Sequence, residues 1–247
     1  MVAQTATLSS QRSSKTGERV FYTGMAVAIL ITVFAGFSRT FYLRPHFQQI
    51  QTLIPLLIVH GIVFSSWIVL LIVQTSLVAA KRTRTHMRLG IAGGVLAASM
   101  IVIGTVIAII RAKTAVSPIP GVNPLSFLTI PLGDMLVFAI LISSAFYFRR
   151  KPDIHKRLML LATIGILPAA VARLPFDFIQ RVGPLAFFGL ADLFIIPVLV
   201  YDIVTRGRPH RATLLGGALI VVSHPLRLII GGTHAWLVFA TWLTHWT

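Results

Sequence analysis

Seven apolar stretches, each about 20 residues long, occupy most of this chain, and a stretch of that length matches the hydrocarbon thickness of a bilayer. Backbone groups inside a bilayer must be satisfied within their own segment, so such stretches fold as helices. The spacing predicts spans at 20–38, 52–79, 87–110, 126–148, 156–174, 185–204 and 212–231. Only 11% of residues are charged, against roughly a quarter in a soluble domain, so no separate soluble domain fits. The expected fold is all-α: one polytopic bundle of seven transmembrane helices over 20–247, after a polar N-terminal tail over 1–19. Rich in Ser, Thr and Gln, the tail is expected to be loosely held. It is long for the basic region of a signal peptide, and Ala35-Gly36-Phe37-Ser38 is a poor cleavage site, so the first span is expected to stay in the protein.

Charge orders the loops. The tail and the gaps near 80–88, 149–157 and 206–211 hold 15 of the 22 basic residues, from Arg12 to Arg211. The other gaps hold Arg39, Arg44, Arg111, Lys113, Arg173, Arg181 and Arg227. The positive-inside rule then predicts a cytoplasmic N-terminus and an external C-terminus, in a bacterial inner membrane. A net charge of +16 suits nucleic acid in a soluble protein, but here the cations lie between apolar segments and the expected partners are anionic lipids, not nucleic acid. The segment from Lys113 to Pro124, with Pro118, Pro120 and Gly121, is expected to be an irregular outer loop. After Pro225 and Gly231-Gly232 comes an apolar run with three tryptophans, His234 to Trp246. It is expected as an interfacial helix, with a kinked continuation of the seventh span as the alternative.

His86 opens the third span, His155 the fifth and His210 the seventh, each after a basic loop. The preceding spans carry His60, Asp134 and Asp192 near their outer ends. The chain therefore reads as three repeats of one helical hairpin plus a first helix. The inner histidines could anchor lipid phosphates at helix N-termini, or could ligate haem.

His60, Asp134, Asp192 and His224 fall at similar depth in the outer half, with Arg173, Asp177 and Arg227 just above. Charges in lipid are costly, so these groups should face inward and pair: Arg173 with Asp177, and Asp192 with Arg227. A structural polar layer is one reading. A haem b held by His60 and His224, with a second one using His86 and His155, is another. Two His and two Asp would also suit zinc, although HExxH and HxxxH spacings are missing, and the same groups could line a proton or solute path. With no cysteine, thiolate metal sites, iron–sulfur clusters and disulfides are excluded. No mid-span lysine is available for a retinal Schiff base.

The second and third spans read His60-Gly-Ile-Val-Phe-Ser-Ser-Trp67, then Gln74, then His86-Met-Arg-Leu89-Gly90. This hairpin resembles that of uncharacterised bacterial multi-pass proteins with a His…Gln…HxxLG pattern, and more distantly the cytochrome b561 type. The resemblance implies haem or quinone chemistry. It departs at Asp134, which stands where a second outer histidine is expected, so His224 would have to serve. The expected function is a membrane subunit or accessory protein of an electron-transfer or other energy-converting assembly, among other membrane subunits or copies of itself. The alternatives are a cofactor-free scaffold, a small transporter and a metal-dependent membrane hydrolase.

Overall fold

A computed structural model describes residues 2–47, 54–114 and 121–245, with side chains from Thr16 onward. Pro118, Pro120 and Trp246 lie outside the described residues. Seven segments are long and apolar enough to cross a membrane: Thr16–Tyr42, Pro55–Ala79, Thr83–Lys113, Pro124–Tyr147, Pro152–Val171, Pro184–Arg206 and Arg211–Gly231. The protein is an all-α polytopic bundle. Its periphery carries large apolar side chains, among them Ile91, Val95 and Val102 on one span, as a lipid-facing surface does.

Five helices cross with little interruption. They are α1 (Val2–Phe37), α2 (Pro55–Ala79), α3 (Thr83–Lys113), α5 (Thr129–Tyr147) after the short α4 (Pro124–Phe127), and α11 (Arg211–Gly231). The backbone of the expected tail is helical and continuous with the first span, although Ser and Thr are poor helix formers. Two spans are broken. The fifth is α6 (Pro152–Gly165) followed by α7 (Pro168–Val171), because Pro168 withdraws the donor that would bond Ile164. The sixth is α9 (Pro184–Asp192) followed by α10 (Ile195–Arg206), where Pro197 does the same to Leu193. Between them lies α8 (Asp177–Val182). Prolines at the first turn of α2, α4, α6 and α9 start those helices, where a missing N–H costs nothing.

The core lies between α5 and α6, and both meet α11. Trp67, Phe138, Leu161, Ile164 and Ile220 are buried there, and Trp67 Nε1 donates to Thr163 Oγ1 at 3.2 Å. The small residues of α3 admit its neighbours: a Cβ on Gly93 would lie 3.1 Å from Leu70, and one on Gly94 would lie 3.4 Å from Phe146.

The Trp-rich segment is a separate helix, α12 (His234–His245), turned at Gly232-Thr233 rather than at Pro225, which α11 absorbs. It seats on α3 and α4: Trp236 Nε1 donates to the Leu125 carbonyl at 2.7 Å, and Ala240 packs with Ala108, Ala112 and Leu128. Lys156 reaches Glu18 at 2.9 Å and Arg206 reaches Asp153 at 4.0 Å, which places the start of the first span beside the basic turns. We call this side the basic face and the other the opposite face.

Candidate functional site

The polar layer toward the opposite face is a chain of four charged or ring groups on three spans. Arg227 of α11 pairs with Asp134 of α5, and its Nη2 donates to Ser223 Oγ at 2.9 Å. Next to it, His224 Nδ1 lies 3.2 Å from Asp192 Oδ2 at the end of α9. A carboxylate can only accept, so Nδ1 carries the proton of this bond. The His224 ring stacks on Phe188 at 4.0 Å and 8°, and the Arg227 guanidinium lies 5.7 Å from the same ring. Three buried atoms in the layer have no hydrogen-bond partner among the described residues: Asp192 Oδ1, His224 Nε2 and Arg227 Nε.

The expected pairing of Asp192 with Arg227 is therefore corrected: Arg227 takes Asp134, and Asp192 takes His224. Gly133 is the reason. A Cβ there would collide with the Arg227 side chain, so the glycine opens the lane along which Arg227 reaches α5. Arg173 and Asp177 form no ion pair among the described residues. They are four apart in sequence, but Arg173 lies in the turn after α7 and Asp177 starts α8, so helical i,i+4 geometry does not apply.

His60 and His224 are not brought together. Phe64, on which His60 stacks at 4.2 Å, faces Gly104 of α3 beside Met135 of α5. Asp134, the residue before Met135, faces α11 instead, so α5 stands between the two histidines. Among the described residues no three His, Asp or Glu side chains gather as a metal-ligand set.

A second cluster, at the basic face, was not legible in advance. Asp202 of α10 is wholly buried, and Arg157 of α6 is 1% exposed. Asp202 accepts from Arg157 Nε at 2.9 Å and also from its Nη2, from Thr213 Oγ1 at 2.5 Å, and from the His210 backbone N–H at 3.1 Å. Arg157 Nη1 donates to the Asp153 carbonyl at 2.8 Å. His210 caps α11, its Nδ1 accepting from the Ala212 N–H at 3.0 Å, and burial, then the charges of Arg157 and Arg206, lower its pKa. The available signal was scarcity. The chain has six acids for 22 bases, and five of the six are in ion pairs.

The inner histidines separate in role. His210 is a cap, whereas His86 of α3 and His155 of α6 meet, with ring centroids 6.4 Å apart and planes at 78°. His155 Nδ1 donates to the Ala145 carbonyl at 2.8 Å, which leaves Nε2 as its lone-pair nitrogen. His86 has a buried Nδ1 without a partner among the described residues. Gln74 holds its turn, Nε2 donating to the His86 carbonyl at 3.3 Å.

Fold and clusters define the class: a seven-span helical membrane protein with two internal ion-pair clusters and a histidine pair between its third and fifth spans. No family model, curated protein or solved structure matches the chain.

Proposed function

We propose that this chain is a haem-b-binding subunit of an electron-transfer assembly in a bacterial inner membrane, with His86 and His155 as the residues that would hold the haem and the basic face in the cytoplasm. One observation carries the reading. With metal–nitrogen bonds of about 2.0–2.1 Å, two imidazoles on opposite sides of one metal have centroids about 6 Å apart. The rings of His86 and His155 are 6.4 Å apart, though they come from different spans. The Ala145 carbonyl orients His155 as the outer partner of a metal-bound histidine does. Gly90, one turn beyond His86, leaves open space beside the pair, and a Cβ there would meet only Gln74, at 3.8 Å. Arg82, Arg84 and Arg88 at the start of α3 offer cations to acidic substituents. A haem held by these two histidines would supply one-electron transfer. His60 and His224 are not ligands in this scheme, and the hairpin repeat is not needed.

The orientation rests on the 15 of 22 basic residues that the sequence puts in the tail and the gaps near 80–88, 149–157 and 206–211. A cofactor-free scaffold is the competing reading, favoured by five acids in ion pairs that tie spans together. A reduced-minus-oxidised absorption spectrum of the purified protein decides between them. The expected result is a b-type band that is lost in His86→Ala and His155→Ala and kept in His224→Ala, with all three eluting as the folded protein. A colourless wild-type protein from haem-replete cells leaves the scaffold reading.

A further inference from the structure

The charges of the polar layer toward the opposite face do not balance. Asp134 and Asp192 are both acids, and among the described residues the one fixed cation paired with either is Arg227, which takes Asp134. While His224 is neutral, with its Nδ1–H on Asp192 Oδ2, the layer is left with one negative charge in excess. A charge inside a membrane is costly unless it is paired. The helices α4, α5, α6, α9, α10 and α12 pack against α11, which carries His224. Of these, α5 and α9 bring Asp134 and Asp192 to the layer, and α11 itself adds Arg227. No ionisable residue occurs on α4, those of α6 and α10 lie at the basic face, and those of α12, His234 and His245, are exposed. Among the described residues His224 is therefore the group left to balance Asp192.

His224 is built to do so. It is 4% exposed, its ring is stacked on Phe188, and its Nδ1 is committed to Asp192. What remains is Nε2, buried and without a partner among the described residues, as is Asp192 Oδ1. Histidine is the side chain that gains and loses a proton near neutral pH. The Nε2 lone pair can take a proton from a hydronium ion, leaving water, while the Nδ1–H bond to Asp192 stays in place. That bond then joins an imidazolium to a carboxylate, and the layer becomes neutral. Asp192 offers the way in: its side chain is 22% exposed, against at most 8% for the other three.

We propose that His224 and Asp192 form a proton-binding site within the membrane, with the Arg227–Asp134 pair as its fixed wall. The site does not depend on the haem reading. The test is nitrogen NMR of the full chain, labelled with 15N-histidine, in phosphatidylcholine nanodiscs over a range of pH. The His224 signals are those missing from His224→Gln, and their shifts tell which ring nitrogens carry protons. The expected result is a proton on Nδ1 alone in alkaline buffer and on both nitrogens in acidic buffer, reversibly. Asp192→Asn keeps the shape and removes the charge, so the second proton should need at least about tenfold more acid. Asp192→Glu should keep the wild-type response, and so should Asp177→Asn, whose acid lies outside the layer. A His224 that carries one proton at every pH at which the wild-type protein stays folded overturns the site. So does an equal acid requirement in wild type and Asp192→Asn.

Discussion

The two buried guanidiniums, Arg157 and Arg227, are alike in burial and opposite in completeness. Among the described residues Arg157 and its partner Asp202 leave no buried polar atom of their own without a hydrogen bond, and the neighbouring Tyr22 hydroxyl is the one left over. Around Arg227, three buried atoms are left over among the described residues. The first cluster joins α6, α10 and α11, and through Lys156 and Glu18 it also holds α1. The second lies where helices are weakened, with Asp192 at the break before α10 and His224 next to Pro225. A saturated cluster is a clamp with one arrangement. An unsaturated one beside broken helices can rearrange its bonds at smaller cost.

The difference has measurable consequences. Asp202→Ala strips the fully buried Arg157 of its carboxylate and should cost about 3–5 kcal/mol, seen as a collapse of melting temperature and of yield in detergent. An Asp202→Ala protein as stable as wild type would end the description of this cluster as a clamp. Gly133→Ala puts a methyl group into the lane used by Arg227 and should cost about 1–3 kcal/mol by the same measurement, with Asp134 and Arg227 both intact. In Arg227→Ala, which removes every side-chain atom that a Cβ on Gly133 would meet, the added methyl should become nearly neutral; an unchanged penalty there would mean that Gly133 matters for another reason.

Asp192→Ala should be milder, about 1–2 kcal/mol, because Arg227 keeps Asp134 and only the His224 bond is lost. A loss as large as that of Asp202→Ala would show the two clusters to be equally committed. The smallest effect concerns His210. Its folded pKa lies below the unfolded value of about 6.5, so the unfolded chain takes up its proton first as pH falls. Its contribution is whole above the unfolded pKa and is lost as pH drops toward the folded one. Melting temperature should therefore fall between pH 8 and pH 5, and His210→Asn, a cap that does not titrate, should flatten part of that slope. Identical slopes in the two proteins would remove His210 as the cause.

The spans were legible because length and hydropathy act locally, and the side of each basic loop followed from alternation. Partners were not. Depth alone offered Arg227 two acids, Asp134 and Asp192, and the deciding feature was the missing Cβ of Gly133 on another helix. Asp202 offered no local signal, since its partner Arg157 is 45 positions away. The expected Arg173–Asp177 pair failed for a related reason, because the helix that would have aligned the two ends at Val171. The histidines before the third and fifth spans stood out in the sequence, but only the packing showed that those two meet and that His210 does not join them.

The Lys156–Glu18 pair, and the approach of Gly36 to the Ala170 backbone, too close to admit a Cβ, set a rule for biosynthesis. The first span leaves the ribosome early, yet its tightest neighbour belongs to the fifth, as does Lys156, the partner of Glu18. Until Pro152–Val171 has been made, α1 has neither its backbone contact nor its ion pair. A nascent chain halted before Pro152 therefore lacks both ties, and among the described residues α2 supplies most of what holds its first helix.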